Sequence, residues 1–119
     1  MPYVLRPLDI NSAEFEEKLL AAPSAQPLSG DILIRSRVEF TNDARTIISG
    51  VWESDPGESR WEFLTRGEII YVVSGRMTVR RDGEDALELT AGSAAFFPIG
   101  WVGTWSVTET VRKFYVVYK

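Results

Sequence analysis

Two stretches, Pro56–Gly75 (PGESRWEFLTRGEIIYVVSG) and Gly92–Gly103 (GSAAFFPIGWVG), decide how this chain folds. In each, aromatic and β-branched residues sit between glycine and proline breaks. Trp61 and Phe63 are two residues apart, so on a strand they share one face. Ala94–Phe97 is a short apolar run closed by Pro98-x-Gly100. Such runs, bounded by turn residues, read as short strands.

The same grammar extends from Asp31 to the C-terminus. DILIRSRVEF, RTIISGVWES, EIIYVVSG, RMTVRR, ALEL, AAFFP, VGTWSV and RKFYVVY all have strand composition. Asn42-Asp43 and Asp82-Gly83 read as hairpin breaks, the latter suiting a turn with positive φ. Many short strands without intervening helices predict an all-β sandwich or barrel. The exception lies upstream. Asn11 with Glu14 three residues on resembles a capping box, and Phe15, Leu19 and Leu20 cluster in spacing, which predicts one short helix over about residues 12–21. PSAQPLSG then reads as a linker.

A chain of 119 residues is one domain with room for a core. Its formal net charge of −4 argues against nucleic acid, whose phosphates demand a basic footprint. No apolar run approaches the ~20 residues of a membrane-spanning helix, and the first residues lack the basic-then-apolar order of a secretory signal. With no cysteine there is no disulfide framework, and the expected location is cytoplasmic.

The chain also has no histidine, so Ser/His and Cys/His nucleophilic arrangements are excluded and acid–base chemistry falls to Glu, Asp, Lys and Tyr. Lys113 alternates with Val111 and Tyr115, which puts the three on one face of a strand. Glu68 has two readings: a group that binds or protonates a ligand, or a structural ion pair with Arg66, Arg76 or Lys113. Glu109 and Arg112 read as a surface pair worth little.

Pro56-Gly57, Trp61, Phe63, Glu68 and Gly75, followed by Gly92, Pro98, Gly100 and Gly103, resemble the two cupin motifs. In cupins a glycine precedes a His-x-His pair, then a glutamate and a glycine; the second motif ends on a histidine. Here Trp61, Phe63 and Gly103 stand in the histidine positions. Gly50-Val51-Trp52-Glu53 and the ending Val-Thr-Glu-Thr-Val-Arg-Lys-Phe-Tyr resemble one subfamily, named for the cupin domain of (S)-ureidoglycine aminohydrolase. Its characterised members are two-cupin proteins that bind manganese and release ammonia.

The resemblance implies an RmlC-like jelly-roll β-barrel over residues 30–119, preceded by an arm, helix and linker over 1–29. It also implies that Glu68 points inward. A lone carboxylate cannot hold a transition metal, which needs three or four N, O or S ligands, so neither metal nor cofactor is expected. Trp61 and Phe63 either plug the barrel or line a pocket. The expected site is Trp52, Trp61, Phe63, Glu68, Phe97, Trp105 and Lys113, taking a ligand with a donor group on a small planar body.

Three functions compete. The first is a metal-free binder of a small polar or planar metabolite. The second is an aminohydrolase-like, lyase or isomerase enzyme using Glu68 as acid–base with Lys113 or Tyr71. The third is a structural partner with a plugged barrel. Family habit adds a symmetric homodimer, with Pro2–Leu8 or Asp31–Phe40 contributing.

Overall fold

The computed structural model describes residues 3–119; the expected contribution of Pro2 to a dimer lies outside them. Nine strands form one antiparallel sheet: β1 (Glu16–Leu19), β2 (Gln26–Pro27), β3 (Leu33–Thr41), β4 (Ile47–Ser54), β5 (Gly57–Glu62), β6 (Gly67–Arg81), β7 (Leu87–Thr90), β8 (Ala94–Phe97) and β9 (Val102–Tyr118). β9 is the spine. Along one edge it pairs first with β5 and then with β4, and along the other it runs beside β6. β3 and β1 extend the sheet beyond β4, β2 lies beyond β5, and β7 and β8 lie beyond β6. The sheet curls around one cluster that includes Trp52, Trp61, Phe63, Met77, Phe97 and Trp105.

The predicted helix is corrected. Asn11 and Glu14 do make a capping box, but it caps a single 3-10 turn, Ser12–Glu14, after which the chain extends into β1. Ten residues are too few for a helix to be stable by propensity alone. Pairing with Leu33–Ser36 of β3 satisfies the backbone instead. Phe15 and Leu20, an odd number apart, then point to opposite faces. Phe15 packs outside the sheet with Ile10 and Val51, while Leu20 enters the interior, joined by Ala25 from the expected linker.

Two further readings change. EIIYVVSG and RMTVRR are one strand, as are VGTWSV and RKFYVVY. Gly75 does not break β6. With φ +86° it sits among bulges where β6 bends, and an added Cβ would fall on the Thr110 carbonyl and Val111 backbone of β9. The breaks at Asn42-Asp43 and Asp82-Gly83 become five-residue connections, 42–46 and 82–86, with Gly83 at φ +82°.

Arg112 belongs to no surface pair. It is 7% exposed. Its guanidinium donates to Glu53, to the carbonyls of Pro7 and Ile10 and to Ser12 Oγ, and lies over the Phe15 ring. One buried cation thereby fastens the N-terminal segment to the outer face of β4 and β9.

Candidate ligand site

Strand parity decides which side chains meet. Glu68 is directly opposite Val117 and Phe97, and Lys113 is opposite Val72 and Trp52. Partners directly opposite share a face, so all of these point into the curl. The Lys113 side chain spans the offset between these positions, and its Nζ donates to Glu68 Oε2 at 2.6 Å. Glu68 is 5% and Lys113 1% exposed. Of the three cations considered for Glu68, Lys113 is the partner. Arg76 pairs with Glu88, and Arg66 has no carboxylate partner among the described residues.

Three indoles enclose the ammonium. Nζ lies 4.4 Å from the Trp52 ring centre, 4.4 Å from Trp105 and 5.7 Å from Trp61. Contacts of this kind are worth about 2 kcal/mol when desolvated, which offsets part of the cost of burying the charge. Burial pulls the Lys113 pKa below its usual value, the charge and hydrogen bond of Glu68 oppose that, and the Arg66 charge adds to the lowering. Burial, with Glu68 and Glu39 nearby, pushes the Tyr115 phenol up to about 12, so it is a neutral O–H at physiological pH.

Behind the pair the aromatics form a packed column. Trp105 stacks on Trp61 at 3.9 Å between ring centres, Trp61 on Phe63 at 5.8 Å, and Phe63 on Phe97 at 5.5 Å. Trp61 Nε1 donates to Ser59 Oγ, whereas the buried Trp105 Nε1 has no partner among the described residues.

In front of the column a cavity of about 390 Å³ remains. Its walls include Trp52, Trp61, Glu68, Lys113 and Tyr115, with Arg66 and Lys18 among its cations. Plug and pocket therefore coexist. Phe63, Phe97 and Trp105 are filled core behind the cavity, while Trp52, Trp61, Glu68 and Lys113 face it. Tyr71 is corrected: three residues from Glu68, it takes the opposite face of β6 and is 48% exposed. Sequence reading missed Ser36 of β3 and Lys18, both of which line the cavity, the latter because it fell within the predicted helix. Neither had a signal without the β1–β3 pairing.

A second groove, about 420 Å³, lies on the outer face between Glu58, Thr78, Arg80, Asp82, Thr104 and Ser106. It has no aromatic wall, and its nearest ion pair, Arg60–Asp82, is exposed to solvent.

The residues do not fit a metal ion. The two positions of the His-x-His pair are stacked rings. At Gly103 an added Cβ would fall on the Arg80 carbonyl, with the Trp101 ring also in the way. Among the described residues no three His, Cys, Asp or Glu side chains come together. Glu68, the remaining carboxylate, already faces an ammonium.

A curled antiparallel sheet around an interior cavity, with a carboxylate on its inner wall, is the architecture of the cupins. The chain matches the EutQ-like cupin domain over residues 41–115 and belongs to that family. Among solved structures it resembles the EutQ protein of Clostridium difficile, with 26% identity and a TM-score of 0.64 over 73% of this chain and 63% of that one. It also resembles a protein of unknown function from Pseudomonas syringae pv. tomato, with 28% identity and a TM-score of 0.76 over 87% of this chain and 43% of the other. The cupin domain of Schizosaccharomyces pombe Cnp3 shares the fold at 14% identity and a TM-score of 0.64, over 72% of this chain and 64% of that one. The chain thus spans less than two thirds of each of these proteins. No curated protein matches it. Among the described residues no helix is long and apolar enough to cross a membrane.

Proposed function

We propose that this cupin domain binds a small metabolite without a metal, in the cavity walled by Trp52, Trp61, Glu68, Lys113 and Tyr115. The observation that carries the reading is the buried Glu68–Lys113 pair set in indole and open to that cavity. Apolar walls with a few convergent polar groups are the usual make-up of small-molecule sites. The ammonium supplies a fixed positive charge beside Glu68, where the histidine positions leave no place for an ion. The resemblance to the ureidoglycine aminohydrolase cupins is read as a shared fold and not as a shared reaction. Their metal-assisted reaction needs an ion to polarise substrate or activate water, and these residues do not hold one. A cysteine-free chain suits the reducing cytoplasm.

Thermal-shift screening of tag-free protein against a metabolite library tests this. A true ligand stabilises by about 2.7 kcal/mol at a hundredfold excess over its Kd. The cavity-filling variant Ser36→Phe should abolish the shift while leaving Glu68 and Lys113 in place. A library that stabilises nothing, or a shift that survives Ser36→Phe, contradicts the proposal.

One observation favours an enzymatic reading in second place: two titratable groups at 2.6 Å, one with a lowered pKa, face a cavity, and such pairs concentrate at functional sites. In that reading Glu68 and Lys113 exchange a proton with substrate. Turnover of a ligand found by screening, lost in Glu68→Gln protein that still binds it, would establish the enzyme.

A further inference from the structure

The charges around the cavity are unequal. Lys18, Arg66 and Lys113 line it against a single carboxylate, Glu68. Glu68 and Lys113 neutralise each other, which leaves two cations, in a protein whose formal net charge is −4. A cationic cavity on an acidic chain is not what composition alone would place there.

Neither remaining cation is committed elsewhere. Arg66 donates through Nη2 to the Ser24 carbonyl at 3.1 Å, its one side-chain hydrogen bond among the described residues. A guanidinium has five N–H donors, so most of its capacity is unused. Its carbon lies over the Phe63 ring, 5.2 Å from the ring centre, a cation–π contact. Arg66 precedes Glu68 by two residues, on the same side of the chain. Lys18 lies opposite Ile34 across β1 and β3, and so shares the inward face of that buried residue. Among the described residues it has no carboxylate within ion-pair distance, although Glu16 and Glu17 are its near neighbours in sequence. The field of Arg66 reaches the buried pair, where it disfavours the charged form of Lys113.

From this placement we infer that the cavity selects a small oxyanion, a carboxylate or phosphate on a compact planar body, whose charged end meets Arg66 and Lys18 while its body lies against Trp52 and Trp61. The planar guanidinium matches carboxylate and phosphate oxygens two at a time, and Lys18 adds a point charge. This differs from the donor-bearing ligand that an unpaired Glu68 would call for, because Lys113 already occupies Oε2. The inference rests on the proposed binding role and narrows its ligand class.

The test is a charge series on one body: benzoate, phenyl phosphate, benzamide and benzylamine. Binding is read by tryptophan fluorescence and by saturation-transfer NMR in 20 mM and 150 mM salt. Benzoate or phenyl phosphate should bind at least tenfold more tightly than benzamide and benzylamine, and should weaken in the higher salt. Whichever of the two anions wins assigns the head group. Arg66→Gln should weaken the anion about tenfold and leave benzamide unchanged, and Lys18→Gln should weaken it less. Benzamide or benzylamine binding as tightly as the anions, or an anion indifferent to Arg66→Gln, overturns the charge selection and leaves the binding role standing. Failure of all four compounds to bind overturns both.

Discussion

Glu68 and Lys113 hold each other in a setting where neither is stable alone. Removing one partner of a buried pair leaves an uncompensated charge and costs about 3–5 kcal/mol, whereas replacing both by apolar groups can be neutral. Glu68→Gln and Lys113→Met should each destabilise by about that amount. The double variant should recover part of the loss, with a coupling of about 2 kcal/mol by denaturant unfolding. Simple additivity would contradict the pair.

A pH dependence follows from the same geometry. Because burial lowers the Lys113 pKa, the folded chain holds that proton less tightly than the unfolded chain does. The resulting contribution to stability is fully present above the unfolded value, near 10.5, and is lost as pH falls through the folded value. Glu68→Gln removes the main opposing influence, so its Tm deficit against wild type should narrow between pH 7 and pH 10. A constant deficit would contradict this. At Gly103 an added Cβ must displace the Arg80 backbone. Gly103→Ala should therefore cost about 2–3 kcal/mol.

Much of this was legible one residue at a time. The motif frame and alternation put Glu68 and Lys113 inward, while the choice of Lys113 over Arg66 and Arg76 as partner stayed open until the structure gave it. Parity would also have excluded Tyr71. The column of stacked rings was not legible, since sequence spacing says nothing about which of several inward aromatics fill and which leave a gap.

At the scale of elements, strand composition marked most of the sheet, and the errors lie where local signals compete with tertiary pairing. The capping box at Asn11 was real, but β3 offered an unpaired edge and two separate clusters for Phe15 and Leu20, and extended chain serves both. Val107–Val111 contains no turn residue, so nothing local ends β9, whereas Gly75 looked like a break and is a bend. Arg112 was misjudged because its partners, Glu53 and the carbonyls of Pro7 and Ile10, are distant in sequence. Arg112→Met should release the N-terminal segment, with faster hydrogen exchange at residues 9–15 and a loss of about 2–3 kcal/mol, less than a fully buried pair because Glu53 keeps Arg35. Unchanged protection there would refute its role as the fastener.

For the whole molecule, the outer face of β6 and β8 carries Ile69, Tyr71 and Phe96, all about half exposed, with Phe96 beside Tyr118. The symmetric homodimer was expected through Pro2–Leu8 or Asp31–Phe40; we propose instead that it forms through this apolar face, the same patch of each copy meeting the other. Light scattering should give twice 13.4 kDa, and Phe96→Glu should restore the monomer. A wild-type monomer at micromolar concentration would contradict the dimer.

The central claim, that the interior beside Glu68 and Lys113 is a ligand site, is tested most directly by the four indole N–H resonances of 15N-labelled protein during titration with the tightest ligand found. Trp52 and Trp61 line the cavity, whereas Trp101 lies behind the column over Gly103. The account predicts saturable shifts at Trp52 and Trp61 with Trp101 unmoved. Four stationary indoles, with shifts confined to Thr78, Thr104 and Ser106 on the outer groove, would contradict it.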